Sequence, residues 1–144
     1  MAAPEDFDQV IEPYHLALGK IINGDPDGYK QLYSHREDVT LANPFGPPAR
    51  GWEQVNETLK RAAAHHGDGE IVGFENVAKG VTSELAYIVE IERVEAKLGA
   101  REDITPFALR VTTVFRPEDS AWKVVHRHAD PITTAQPAES VIQE

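Results

Sequence analysis

The sequence predicts an α+β fold in which three N-terminal helices pack on one side of a long, curled, mostly antiparallel sheet. In the first half of the chain, apolar residues recur with the helical period of 3.6. In the second half, four segments rich in Val, Ile, Thr, Tyr and Phe alternate with polar residues, as strands do. Helices followed by strands favour a helical layer on one face of an antiparallel sheet.

The 144-residue length is that of one compact domain, which needs neither disulfides nor a structural metal to form a core. We expect this domain to cover residues 1–130. Residues 131–144 are polar, lack a period and contain two prolines, so they are expected to form a loose C-terminal tail.

The N-terminal elements follow from helix patterns and their end signals. Apolar spacings of three and four predict a first helix over residues 7–23. Asp25 followed by Pro26 predicts the start of a short second helix, which gives way near His35 to a strand at residues 39–42.

Three prolines in residues 43–51 indicate a loop without regular structure. A third helix is predicted over residues 52–66, closed by Gly67, and His65 and His66 are expected to stabilise its C-terminus. The four predicted strands cover residues 70–79, 84–97, 104–117 and 121–129.

Composition excludes several classes of protein. The formal charge of −10, from 24 acidic and 14 basic side chains, would repel phosphate backbones and anionic lipid, so neither a nucleic acid nor a membrane is an expected partner. No apolar run is long enough to span a bilayer, and the acidic start lacks a secretory signature, which predicts a cytoplasmic protein. The absence of cysteine excludes thiol nucleophiles and iron–sulfur clusters.

The element order and three segments resemble the NTF2-like superfamily, above all its ketosteroid isomerases and SnoaL-like polyketide cyclases. These segments are Asn-Gly-Asp-Pro-Asp-Gly at 23–28, Asn-Pro-Phe-Gly-Pro-Pro-Ala-Arg-Gly-Trp-Glu-Gln-Val at 43–55, and Trp-Lys-Val-Val-His-Arg-His-Ala-Asp at 122–130. The resemblance covers residues 7–130. It implies a cone, formed by a bent sheet around the helices, with an apolar pocket at the open end.

The catalytic residues of the isomerases are not retained. Their catalytic base is an aspartate in this loop, whereas this chain has Asn43, an amide that cannot accept a proton near neutral pH. Their protonated acid aligns with Thr112, and their helical tyrosine aligns with Ala17, one turn after Tyr14. Ketosteroid isomerase activity is therefore not expected.

The alignment with the isomerases implies that His126, His128 and Asp130 face the pocket, because strand residues two apart share a face. Arg110 of the neighbouring strand would join them, and Asn43 or Arg110 would stabilise an oxyanion. The remaining pocket wall is expected to include Tyr14, Leu18, Phe45, Trp52, Tyr87, Val89, Thr112 and Val114.

Several interpretations of this cluster remain open. A histidine oriented by Asp130 could act as general acid or base, which suits a cofactor-independent isomerase, cyclase or dehydratase acting on an apolar polycyclic or polyketide-like molecule. The histidines and Asp130 could instead hold a divalent metal. Arg110 with Asp130, or Arg127 with an acidic neighbour, could be no more than a paired charge that satisfies a partly buried carboxylate. Only Arg110 and Asp130 could serve the Asp-Arg-Asp chemistry of the epoxide hydrolases found in this superfamily. A non-catalytic ligand-binding or dimeric interaction module is the alternative function.

The strand at residues 84–97 predicts an interaction surface. The charges in residues 90–97 alternate in sign, which is typical of a solvated or partner-facing side of a sheet. Ala86, Ile88 and Val94 are expected on this outer face, and the family resemblance implies a homodimer formed through it.

Overall fold

The computed structural model describes residues 6–143 and confirms the α+β cone. Three helices pack inside a strongly curved, six-stranded mixed sheet with the order β2-β1-β6-β5-β4-β3. The helices are α1 (Asp8–Ile21), α2 (Asp27–Leu32) and α3 (Trp52–Ala64). The strands are β1 (Thr40–Ala42), β2 (Ala49–Arg50), β3 (His66–Val81), β4 (Ala86–Leu98), β5 (Thr105–Glu118) and β6 (Ala121–Asp130).

The three helices lie where the apolar periods predict them. At the start of α2, the Asp25 carboxylate accepts a hydrogen bond from the backbone N–H of Asp27 at 3.0 Å. At the end of α3, His66 Nδ1 lies 2.6 Å from the carbonyl oxygen of Ala62, so this histidine does satisfy the helix terminus. His66 is not part of α3, however, because the chain turns there into β3.

The proline-rich loop contains one element that the sequence did not predict. Ala49 and Arg50 form the short strand β2, which pairs antiparallel with β1. Pro47 and Pro48 precede this strand, so the missing proline N–H groups do not interrupt its ladder. The other edge of β1 pairs in parallel with β6, which places the loop beside the last strand.

A bulge in β6 decides which side chains face the helices. Val114 pairs with His126, but the next residue, Phe115, pairs with Val124, so Val125 is an extra residue on β6. An inserted residue reverses the inside–outside alternation beyond it. Val124 and Arg127 therefore both face inward, although they are three positions apart and a regular strand would place them on opposite faces.

The core lies between the helices and the inner face of the sheet. Its fully buried residues include Tyr14, Tyr29, Tyr33, Val55 and Phe115. Pairing between β3 and β4 shifts register at three places, and such bulges help a long sheet to bend around the helices.

The C-terminal segment after Asp130 is exposed through residue 143, and its one regular element among these residues is a short, equally exposed 3-10 helix at Ala138–Val141. Its looseness remains a prediction. Residues 1–5 and residue 144 of the predicted domain and tail lie outside the described residues. None of the helices over residues 6–143 is long and apolar enough to cross a membrane.

Candidate functional site

The inner face of the sheet carries charged side chains that the sequence interpretation assigned to solvent. Glu90 and Glu92 are 3% and 2% exposed, and they share this face with Ala86, Ile88 and Val94. The expectation that these three apolar residues lie on the outer face is therefore wrong. Both faces of β4 mix apolar and charged residues, so polarity alone could not tell inside from outside.

A buried ion pair joins β4 to β6. Both terminal nitrogens of Arg127 donate to the Glu92 carboxylate at 2.9 Å, which is a bidentate geometry. Arg127 also donates to the hydroxyl oxygen of Tyr14 at 2.9 Å. That hydroxyl lies 2.5 Å from Thr113 Oγ1 and, since it accepts from Arg127, is free to donate its own hydrogen to Thr113.

This network holds fixed charges inside the cone. Burial by itself would lower the pKa of Arg127, but the Glu92 carboxylate together with Tyr14 and Tyr29 keeps the pKa well above its ordinary value. Burial raises the pKa of Tyr14 to about 12, so its hydroxyl keeps its proton at neutral pH. The guanidinium has five N–H groups and donates three hydrogen bonds within residues 6–143, which leaves donors for a bound molecule.

A cavity of about 60 Å3 opens next to this ion pair, between the end of α1, the loop after β1 and the inner face of the sheet. Most of its wall is apolar, and its polar wall residues are Asn43, His66, Glu92 and Arg127. An apolar cavity with a few convergent polar groups is the usual form of a small-molecule site. The apolar wall residues are Leu18, Ile21, Ile22, Leu41, Pro44, Phe45, Ala62, Ile71, Val94, Phe107, Leu109 and Ala129.

His66 is the titratable base of this cavity. Its Nδ1 must carry the hydrogen, because its partner at 2.6 Å is the carbonyl oxygen of Ala62. Burial lowers the pKa of His66 more strongly than this hydrogen bond raises it, which favours the neutral ring. In a neutral ring with hydrogen on Nδ1, Nε2 presents a lone pair, and a lone pair can accept a proton or a hydrogen bond.

The loop after β1 forms the mouth of the cavity. The side-chain oxygen of Asn43 accepts the backbone N–H of Phe45 at 3.0 Å, which holds the loop in a turn and leaves the amide NH2 group as a donor. The Phe45 ring is 47% exposed and lies 6.0 Å from the His66 ring, centre to centre. Asn43 and Phe45 thus line the cavity as the sequence interpretation expected, and Leu18 does so from α1.

The predicted catalytic cluster exists, but it lies on the outer face of the sheet. Arg110 binds Asp130 through two nitrogens, at 2.8 and 3.0 Å, and His128 Nε2 lies 3.0 Å from the same carboxylate. The side chains of Arg110 and His128 are both 52% exposed. The bulge at Val125 is the physical reason for His128 and Asp130, which follow it on β6; Arg110 lies on the outer face of β5, where it pairs with Asp130.

Local contacts explain the charges of this outer cluster. Burial would raise the pKa of Asp130, but its hydrogen bonds, the first from Arg110, hold it below the ordinary value. His126 bonds through Nδ1 to Thr40 Oγ1 at 2.7 Å, and burial lowers its pKa. Within residues 6–143, no group of three or more acidic or histidine side chains is arranged to hold a metal ion.

The other predicted wall residues also lie outside the cavity. Tyr14 is buried behind Arg127 in the hydrogen-bond network. Trp52 stacks on His35 at 3.8 Å and packs against the core. The predicted wall residues on β4 and β5 also face away from the pocket, so that expectation is wrong; they are Tyr87, Val89, Thr112 and Val114. The residues that alternate with them along each strand are the ones that face inward.

Sequence reasoning missed His66 as a cavity residue and Glu92 as a buried one, whereas it did offer Arg127 as a charge paired with an acidic neighbour, which the structure identifies as Glu92. His66 was assigned to the helix end, a role it has in addition to lining the cavity. Glu92 and Arg127 lie among the inward apolar residues Ala86, Ile88 and Ala129, and opposite charges at such positions of two strands were the available signal for a buried pair.

The known proteins that this chain resembles have the same fold as the one described above. The model of the SnoaL-like domain family matches residues 8–133. An NTF2-like superfamily protein from Salmonella enterica serovar Typhimurium is 19% identical, covers 92% of this chain and 94% of its own, and superposes with a TM-score of 0.73.

Two further solved structures have the same fold. A ketosteroid isomerase-like protein from Erwinia carotovora atroseptica is 16% identical, covering 88% of this chain and 94% of its own with a TM-score of 0.71. An NTF2-like protein of unknown function from Shewanella oneidensis is 18% identical, covering 85% and 96% with a TM-score of 0.59. No curated protein matches the sequence closely enough to count as a relative.

Proposed function

Because the chain belongs to the SnoaL-like domain family, whose members share the NTF2-like cone, we propose that its interior cavity binds a small, mostly apolar molecule and transfers a proton on it without a cofactor. His66 acts as the base, and Arg127 and Asn43 donate hydrogen bonds to the oxygen that gains charge. One observation carries this proposal: a neutral histidine with an accepting Nε2 lines the same cavity as a buried arginine.

The chemistry fits a carbonyl compound. His66 Nε2 removes a proton from the carbon next to the carbonyl. The electron pair of that C–H bond forms a C=C bond, and the π pair of the carbonyl moves onto its oxygen, which gives an enolate. Donors already fixed in a dry site stabilise such an oxyanion without reorganising. The imidazolium then returns the proton to another carbon, as in an isomerase, or to a departing hydroxyl group, as in a dehydratase.

The outer cluster of His128, Asp130 and Arg110 has no part in this mechanism, because it lies on the opposite face of the sheet. Ketosteroid isomerase activity is not proposed either. Asn43 lies at the cavity, but an amide cannot serve as the proton-accepting base of that reaction.

Proton exchange in heavy water tests the proposal directly. A panel of ketones, including short hydroxy ketones, aromatic polyketides and steroids, is incubated with the protein, and loss of the signal of the hydrogen next to the carbonyl is followed by NMR. The wild type should exchange at least one of them faster than buffer does, and His66→Gln should lose the effect. His128→Gln is the matched control and should exchange normally. Equal loss in both variants, or no exchange by the wild type, would contradict catalysis by His66.

A non-catalytic binding module is the second candidate function. It is favoured by the Glu92 carboxylate, which already compensates the charge of Arg127 and so weakens its pull on a developing anion. A carrier would bind a member of the panel without exchanging its protons. A catalyst using histidine would instead show a rate that falls as His66 becomes protonated at acidic pH.

We also propose a homodimer formed through the outer face of β4 and β5. This face presents Tyr87, Val89, Ile91 and Val114, and Tyr87 is 42% exposed. Val89→Lys should dissociate the dimer, whereas Val72→Lys on the edge strand β3, itself 58% exposed, is a control outside the proposed interface. Sedimentation equilibrium at micromolar concentration measures both; a monomeric wild type would exclude this dimer.

A further inference from the structure

We propose that the natural ligand of the interior cavity is a short, uncharged hydroxy-carbonyl compound. This inference rests on the proposed function for the location of the site and adds the ligand's size, charge and hydrogen-bonding groups. Three independent properties of the cavity carry it.

The first property is size. The cavity measures about 60 Å3, whereas pockets for drug-sized ligands measure roughly 300–1,000 Å3. The cavity therefore accepts only a molecule well below that size. A molecule with several fused rings is larger than the cavity, so it would have to displace wall residues such as Leu109 or Phe107.

The second property is charge. Glu92 and Arg127 pair with each other, and the low pKa of His66 keeps its ring neutral, so the charges of the wall sum to zero. A charged ligand would therefore bring an uncompensated charge into a closed, mostly apolar space. Burial of an unpaired charge is far more costly than burial of a polar group that finds its partners.

The third property is the pattern of donors and acceptors. Arg127 and the amide of Asn43 offer N–H groups, and a carbonyl oxygen would satisfy them. His66 Nε2 and the Glu92 oxygens accept hydrogen bonds, and a hydroxyl group would satisfy one of these. A saturated hydrocarbon would leave both kinds of group unpaired, which lowers its affinity relative to a hydroxy ketone.

A chain-length series tests the inference. Binding of hydroxyacetone, 1-hydroxy-2-butanone and 1-hydroxy-2-octanone is measured by NMR titration of the isotope-labelled full chain, with butanone and the lactate anion as probes of the hydroxyl group and of charge. We expect the two short hydroxy ketones to bind, and the octanone, butanone and lactate to bind at least tenfold more weakly.

Two variants keep the size argument separate from the chemistry. Leu109→Ala removes bulk from the cavity wall and should bring the octanone to within about threefold of 1-hydroxy-2-butanone. Leu85→Ala makes the same truncation at a residue that is 49% exposed in the β3–β4 turn, and it should leave the series unchanged.

The outcomes distinguish the inference from the proposed function. Binding of the octanone or of steroids by the wild type as tightly as the short ketones would overturn the inference and leave an interior site intact. Preference for lactate would overturn its charge argument. Failure of every probe in the series and the wider panel would overturn both the inference and the proposed function.

Discussion

Replacement of Arg127 by Met should destabilise the fold severely, because it leaves the buried Glu92 carboxylate without a partner. Glu92 is 2% exposed and receives two hydrogen bonds at 2.9 Å, both from Arg127. Removal of one member of a buried ion pair costs about 3–5 kcal/mol. A domain has about 5–15 kcal/mol of stability in total, so Arg127→Met should lose a large fraction of it.

Urea unfolding, followed by the fluorescence of Trp52 and Trp122, measures this loss. The matched control is Arg93→Met. Arg93 also pairs with a glutamate, Glu75, at 3.2 Å, but their side chains are 52% and 60% exposed. An exposed pair contributes about 0–1 kcal/mol, so this control should change the unfolding free energy little.

A double variant separates the missing partner from the loss of packing. Glu92→Leu combined with Arg127→Met removes both charges and keeps apolar bulk, and such replacements are often neutral or stabilising by about 1–4 kcal/mol. It should therefore recover most of the stability that Arg127→Met loses. If Arg127→Met were no more destabilised than Arg93→Met, the assignment of a buried, mutually dependent pair would be refuted.

Three further predictions concern the same interior. Tyr14→Phe leaves both buried hydrogen-bond partners of the hydroxyl incomplete and should cost about 1–3 kcal/mol in urea unfolding; a loss below about 0.5 kcal/mol would contradict the network. Because burial lowers the pKa values of His66 and His126 below 6.5, the unfolded chain binds more protons as pH falls through that range. The Tm should therefore fall from about pH 7 towards pH 5, and the double variant His66→Gln with His126→Gln should show a smaller fall in Tm over the same pH interval. An equal fall in Tm in the wild type and the double variant would count against burial of these two rings. Gly69→Ala would place a Cβ 2.7 Å from a backbone oxygen at the end of α1 and should cost about 1–3 kcal/mol, whereas Gly73→Ala, with no atom within 4 Å, should be close to neutral in the same assay.

The helices and strands could be predicted because their patterns are local. Apolar residues at helical spacing define α1 and α3, and Asp25 before Pro26 marks the start of α2. The long strands β3 to β6 follow from alternation and their turn residues. None of these inferences requires knowledge of which residues meet across the fold.

The inner and outer faces of the sheet could not be predicted in the same way. Trp122 and Val124 do face inward, and strict alternation from them places His126 and His128 inside. The extra residue at Val125 is recognised only from the pairing with β5, which is a contact between distant parts of the chain. Asp130, His128 and His126 pair with Arg110, Thr112 and Val114 of β5, so placing the β6 residues inside also placed their partners there.

The site was missed for a related reason. A glutamate in a strand is expected in solvent, and Glu92 is buried only because Arg127, 35 residues later, meets it with a bidentate hydrogen bond. His66 could be identified as a helix-end residue from the glycine that follows it. Its second role depends on the loop at Asn43 and Phe45 closing over it.

The most direct test of the account is which histidine senses a bound ligand. The imidazole signals of His66 and His128 can be assigned by NMR from the His66→Gln and His128→Gln variants, and followed as 1-hydroxy-2-butanone is added to the wild type. If the ligand enters the interior cavity, the His66 signals move in a saturable manner while those of His128 stay in place. Movement of the His128 signals with His66 unchanged would put the ligand on the outer face of the sheet and contradict the interior site.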